Sequence, residues 1–217
     1  MLLVSMFMRD VQIPTSIAKA MFNLGSIWMV FTLYMVLALT VFDCAKIFVP
    51  TIRWGFIYAL GMTTALLIYG YYNYRHPKIE YIDITLDKPL SGNEVRIAAI
   101  SDVHLGNGTD KVALKRYIKL INSQKPDLIL ICGDLIDNSI VPVKQQRMEE
   151  ELRKLQAPMG IYMAAGNHEY ISRIEQCEEF LQKTPITLLR DSIAILPCEI
   201  QIVGRDDRHN HRRKSLE

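Results

Sequence analysis

Ile97-Ala98-Ala99-Ile100-Ser101-Asp102-Val103-His104 decides the reading of this 217-residue chain. Four apolar residues run into an acid and an imidazole two positions apart. Gly92-Asn93 precedes the run and Gly106-Asn107-Gly108 follows it, so it reads as a buried strand opening into a loop. Residues i and i+2 of an extended segment point the same way, so Asp102 and His104 can present an oxygen and a nitrogen to one point. Open α/β sheets bind ligands beyond the carboxyl ends of their strands, and this pair falls there. A mixed oxygen and nitrogen donor set suits a divalent transition metal. Taken alone, Asp-x-His is more often a turn acid beside a solvated histidine.

Two further stretches repeat the design. Leu128-Ile129-Leu130-Ile131-Cys132-Gly133-Asp134-Leu135-Ile136-Asp137 is an apolar run followed by a small residue and acids. Ile161-Tyr162-Met163-Ala164-Ala165-Gly166-Asn167-His168-Glu169 is another, ending in an amide, an imidazole and an acid. Glycine at a strand exit lets the backbone turn sharply and approach a bound ion closely. Three such exits, separated by helix-length intervals, outweigh the bland reading of any one.

Asp102-Val103-His104, Gly133-Asp134-Leu135-Ile136-Asp137 and Gly166-Asn167-His168-Glu169, in that order, resemble the calcineurin-like metallophosphoesterase superfamily. The resemblance runs from about Val95 to Asp207. It is closest to the membrane-associated bacterial branch, because Ile202-Val203-Gly204-Arg205-Asp206-Asp207 is similar to a strand and turn of that branch. It implies an α/β fold, a four-layer α/β/β/α metallophosphoesterase sandwich with its first half present. It implies two divalent metal ions (Mn, Fe, Zn, Co or Mg) and hydrolysis of a phosphoester or pyrophosphate bond by a hydroxide bridging them. By the resemblance, Asp102 and His104 hold the first metal, Asp134 bridges, and Asn167 takes the second through its side-chain oxygen. His168 faces the scissile phosphate as general acid or transition-state stabiliser, and Asp137 orients a ligand imidazole. Asp137 and Glu169 fit turn or helix-N-terminal acids as well. Asp206 and Asp207 fit either a turn pair or part of the substrate face.

The family closes its metal site with a later histidine and a Gly-His-x-His motif. His209-Asn210-His211 does not match it: Arg208 stands in the glycine position, no apolar strand leads directly in, and Arg212-Arg213-Lys214 follow at once. The expectation is a domain over residues 95–217 that is C-terminally incomplete and not a competent hydrolase by itself.

Composition removes other classes. A net charge of +2, with no basic stripe interleaved with aromatics, gives no indication of nucleic acid. Cys44, Cys132, Cys177 and Cys198 have no CxxC spacing, which argues against a zinc ribbon or disulfide framework. Cys132 reads as a small buried core residue, with a thiol behind the metal ligands as the alternative.

The amino-terminal third is different. Residues 20–42 and 54–74 contain no charged side chain, and each is long enough to cross a bilayer core. Trp and Tyr stand at the ends of the second stretch, as in an aromatic belt. A cleavable signal peptide fits poorly, since a second apolar stretch follows the first. The domain reading is an N-terminal segment over 1–19, two transmembrane helices over 20–74, a linker and edge strand over 75–94, then the phosphoesterase domain. Arg9, Lys19, Arg75 and Lys78 outside the hairpin, against Lys46 and Arg53 within it, lean the catalytic domain to the cytoplasmic side of an integral, multi-pass protein.

After Asp110 the apolar residues recur at helical spacing, a buried strand follows over 127–132, and a helix is expected over 145–155. A further helix over 174–183 and short strands near 186–189, 193–196 and 199–203 complete a βαβαβα layered pattern. An alternating segment over 80–86 reads as a half-buried edge strand, with a turn over 88–93. Two functions compete: a membrane-anchored enzyme acting on a phosphoester substrate, lipid-linked given its hairpin, or a non-catalytic membrane module whose half metal site binds a partner or ligand. Oligomeric state is not legible.

Overall fold

The computed structural model describes residues 14–51, 53–86, 94–196 and 200–215. The expected turn over 88–93, most of the 1–19 segment, Cys198 and Glu199 lie outside them. The chain divides into two compact units, the first built on residues 21–85 and the second on residues 86–217 with the opening turn of the first helix.

The first unit is a pair of helices, α1 (Thr15–Phe48) and α2 (Gly55–Arg75). Met35, Ala38 and Ala59 are buried, with Phe31, Leu39 and Phe42 packed on them. Leu24, Ile27, Trp28, Leu33 and Val41 are exposed, so α1 is apolar all round and has no polar face to turn to water. By length and composition α1 can cross a membrane; among the described residues α2 falls short of that measure. Tyr69, Tyr71, Tyr72 and Tyr74 dilute its apolarity. The two-span reading of residues 20–74 therefore stands on one helix by this measure.

The edge strand expected over 80–86 does not form: residues 77–86 carry no strand pairing, and Tyr81, Ile82 and Ile84 are more than three-quarters exposed. Alternation makes a strand only where another edge takes up its N–H and C=O groups, and no described strand pairs with this segment.

The second unit is an α/β layered domain. Strands β1 (Ile97–Ile100), β2 (Leu128–Cys132), β3 (Ile161–Ala164) and β4 (Ile186–Leu189) form one parallel sheet in that spatial order. Register pairs Ile97 with Leu128, Ile129 with Ile161, and Ile161 with Ile186. A sheet that always steps the same way, with right-handed crossovers, carries its helices on one face. On that face Ile129, Ile131, Ile161, Met163 and Ile186 share a core with Leu114 and Ile118 of α3 (Lys111–Ser123). Asp110 caps α3, accepting a hydrogen bond from the Ala113 N–H at 2.9 Å.

The helix expected over 145–155 is split into α4 (Val141–Gln145) and α5 (Glu149–Leu152). Arg147 between them has φ 52, which a continuous right-handed helix excludes. After β3 come α6 (Asn167–Ile171), whose first turn holds Glu169 as the helix-N-terminal acid, one of the two alternatives open to it in sequence, and α7 (Ile174–Leu181). On the opposite sheet face Leu128, Leu130 and Tyr162 pack with Leu196, Ile200 and Ile202 of an antiparallel ribbon, β5 (Ser192–Ile195) and β6 (Gln201–Gly204). Within the described residues the second β layer is this ribbon alone.

Candidate metal centre

The three strand exits converge because their backbones are tied to one another. The Asp102 N–H donates to the Gly133 carbonyl at 3.3 Å, His104 to Asp134 at 3.0 Å, and Leu105 to Leu135 at 2.8 Å. The Asp137 N–H returns to the Leu105 carbonyl at 3.1 Å. These bonds hold Asp102, His104 and Asp134 at φ 54, 49 and 52, a left-handed conformation that side chains other than glycine adopt at a cost. Such strain persists only where the surroundings over-determine it, and here the zipped loops do so.

The third exit presses on the second. Gly133 has φ 88, and a Cβ there would come within 2.9 Å of the Gly166 Cα. A Cβ on Gly166 would overlap the Asp134 carboxylate and reach 2.7 Å from its nitrogen. Gly166→Ala is therefore expected to push Asp134 out of place. The cost is about 1–3 kcal/mol for overpacking, with metal affinity lost as well. Thermal unfolding and metal titration of the variant check this, and an unchanged metal affinity would contradict the contact.

Ligand-capable atoms of Asp102, His104 and Asp134 lie within 4.8 Å of one another. Those of His104, Asp137 and His168 do the same. The two groups share His104. Its Nε2 is 3.8 Å from Asp102 Oδ1 and its Nδ1 is 3.5 Å from Asp137 Oδ1. His168 Nδ1 stands 3.2 Å from the same Asp137 oxygen, and the two imidazoles meet edge to face at 4.4 Å. That nitrogen is buried and makes no aligned hydrogen bond, so the ring is placed beside Asp137 without being saturated by it. Asn167 opens α6 between Gly166 and His168, and the His168 N–H donates to Asp134 Oδ1 at 2.9 Å. Two carboxylates and an imidazole facing one point fit a divalent cation by donor chemistry.

Glu169 is the residue that sequence reasoning undervalued. It is wholly buried, and its carboxylate accepts from the Asp134 N–H at 3.0 Å, Ile136 at 2.9 Å and Gly166 at 2.8 Å. Burial pushes its pKa up, the three N–H donors pull it down, and the Asp134 charge adds to the rise; the net direction is upward. The usual signal for such a residue is Ser or Thr three positions earlier. Gly166 occupies that place, so the signal was absent.

The remaining candidates lie elsewhere. Asp206 is buried and accepts from the Tyr170 hydroxyl at 2.6 Å, Arg190 Nε at 2.9 Å and Asn210 Nδ2 at 2.8 Å. Burial opposes its ionisation, but those donors hold its carboxyl below the ordinary range. Burial and the neighbouring Asp206 push the Tyr170 hydroxyl up to about 12. Asp206 thus anchors β6 to α6 and β4. Asp207 accepts from His209 Nδ1 at 2.6 Å. His209 and His211 line an open cavity with Arg190 and Arg212, and neither belongs to the two groups around His104. Cys132 is exposed, contrary to the buried-core reading, because it is the last residue of β2 where the chain leaves the sheet. Among the described residues Cys177 is the buried thiol, pushed up to about 11 chiefly by burial.

Comparison with known proteins gives the same reading. The family profile described as calcineurin-like phosphoesterase matches residues 95–205. A zebrafish protein named transmembrane protein with metallophosphoesterase domain is 33% identical over 141 residues, 64% of this chain and 32% of its own length. A metallophosphoesterase of Helicobacter pylori strain 26695 is 35% identical over 134 residues, 60% of this chain and 35% of that protein. One from Bacillus subtilis is 38% identical over 116 residues, 52% and 41% of the two chains. The chain therefore spans about a third of the length of the first two and two-fifths of the third.

Proposed function

The chain belongs to the calcineurin-like phosphoesterase family, and from that premise we propose that it is a membrane-anchored hydrolase of phosphoester or pyrophosphate bonds that works with two divalent metal ions. The observation that carries this is the convergence of Asp102, His104 and Asp134 on one point, with His168 adjoining through His104 and Asp137. Asp102, His104 and Asp134 would hold one cation; Asp134, shared, and Asn167 would hold the other. Cations bound there neutralise phosphate charge and bring the pKa of a bound water into the neutral range.

The chain's own residues do the rest. Asp134 places its charge between the loops while its Oδ1 fixes the start of α6. Asn167 offers a neutral oxygen, which leaves the site positive enough to attract a phosphate. Asp137 stands at Nδ1 of His168, leaving Nε2 as the nitrogen that meets the leaving oxygen and can protonate it. The apolar helix α1 supports a membrane location, and its exposed apolar surface favours a substrate with a lipid portion. The hairpin with α2, carrying the catalytic unit on the cytoplasmic side, extends that reading.

His168→Ala tests the division of labour. In a version completed with the family's closing histidines, bound metal is expected to stay near the wild-type amount while hydrolysis of a chromogenic phosphodiester falls on the order of 10²–10⁴-fold. Loss of metal would make His168 a ligand instead. A version completed with the family's later histidine and Gly-His-x-His motif that binds a phosphate ester and never hydrolyses it would favour the non-catalytic module.

A further inference from the structure

Glu169 stands apart from every other charged group near the site. It is wholly buried, and the charge that bears on it is that of Asp134. The three hydrogen bonds of its carboxylate all come from backbone N–H groups. Oε1 accepts from Ile136, and Oε2 accepts from both Asp134 and Gly166. Two of those donors belong to the loop after β2, which carries Asp134. The third belongs to the turn after β3, which carries Asn167 and His168 on the next two positions. No other described side chain takes hydrogen bonds from the backbone of both turns.

We propose that Glu169 is a positioning residue whose carboxylate fixes the distance between Asp134 and Asn167, and so the spacing of the two cations they would hold. The proposal rests on the metal-dependent reading above for its second half only. The bracing of the two turns is a property of the metal-free chain. A carboxylate is needed because both of its oxygens face donors. In Glu169→Gln the side chain keeps its size, but its NH₂ must face the N–H of Ile136 or those of Asp134 and Gly166, and that contact turns repulsive. In Glu169→Asp the charge stays, but the chain is one methylene too short to span both turns. Hydrogen bonds to a charged group are the stronger kind, so losing them should be legible amide by amide.

The test compares the full chain in detergent with E169Q and E169D. Amide hydrogen exchange without metal is expected to quicken on the order of 10–100-fold at Asp134, Ile136 and Gly166, with the strand amides of β1–β4 unchanged. Titration with Mn²⁺, followed by electron paramagnetic resonance, is then expected to show the spin-coupled pair of the wild type replaced by isolated ions. Affinity should fall on the order of 10–100-fold, the loss expected when a group supporting metal ligands is removed. Unchanged exchange at the three amides overturns the proposal. So does a uniform rise across the sheet, which marks Glu169 as a general stabiliser; so does a spin-coupled pair that survives in both variants. If E169Q does not fold, E169D carries the same readouts, and failure of both to fold while Glu151→Gln, a substitution at another buried acid, folds overturns the positioning role in favour of a folding one. If the wild type itself binds no Mn²⁺, the metal-dependent reading fails, and the exchange data alone decide whether Glu169 braces the turns.

Discussion

Asp134→Asn is expected to abolish phosphodiester hydrolysis by the intact protein, by several orders of magnitude, with the fold retained. The reason lies in what Asn can and cannot replace. Asp134 Oδ1 accepts the His168 N–H at 2.9 Å, and an amide oxygen can do the same, so α6 stays docked. Its backbone N–H still donates to Glu169, and its carbonyl still receives His104. What changes is the second carboxylate position, which becomes an NH₂ group directed toward the group formed with Asp102 and His104. A donor cannot ligate a cation, and a neutral amide cannot bridge two of them. Metal content per chain and hydrolysis should fall together, while thermal unfolding of the metal-free protein stays close to the wild type. Near-normal turnover with full metal content would remove Asp134 from the bridging role. The contrast with Gly166→Ala is informative: there the carboxylate is chemically intact and displaced, so folding stability suffers as well.

The strands at the three exits were legible because each is an apolar run that stops at glycine or at a polar residue able to bind metal. Their assembly into one parallel sheet followed from the helical spacing between them. Asp102, His104 and Asp134 were legible for the same reason: they sit where strands end. The left-handed backbone that aims them was not. Nothing in Asp-Val-His announces φ near 50 at two positions; that conformation is imposed by hydrogen bonds to a loop thirty residues away. Glu169 was obscured because its partners are backbone N–H groups, which every residue but proline possesses. The alternation over 80–86 misled for the converse reason. Period-two patterning describes what a strand could bury, but a strand needs a partner edge, and that is a tertiary fact. Arg147 broke a helix that periodicity alone carried through, since a single residue at positive φ leaves the apolar spacing on either side nearly intact.

The amino-terminal unit yields the other large effect. The full chain is expected to remain with membranes through high-salt and carbonate washing, and a version beginning at Lys78 is expected to be released almost completely. α1 presents Leu24, Trp28, Leu33 and Val41 outward, each more than half exposed, with no opposing charged stripe. Its 34 residues span about 50 Å at 1.5 Å per residue, more than the roughly 30 Å of a hydrocarbon core. Burying apolar surface of this kind is worth about 25 cal/mol per Å², an attraction that does not depend on ionic strength. Salt weakens only charge-borne attachment, and the charged residues of the helix, Lys19, Asp43 and Lys46, lie toward its two ends. Release of the full chain by salt would mean that α1 packs on protein and not in lipid. Retention of the Lys78 version would place the anchor in the phosphoesterase unit, where the exposed Ile193, Ile195 and Val203 of the β5–β6 ribbon would be the first surface to change to charged residues.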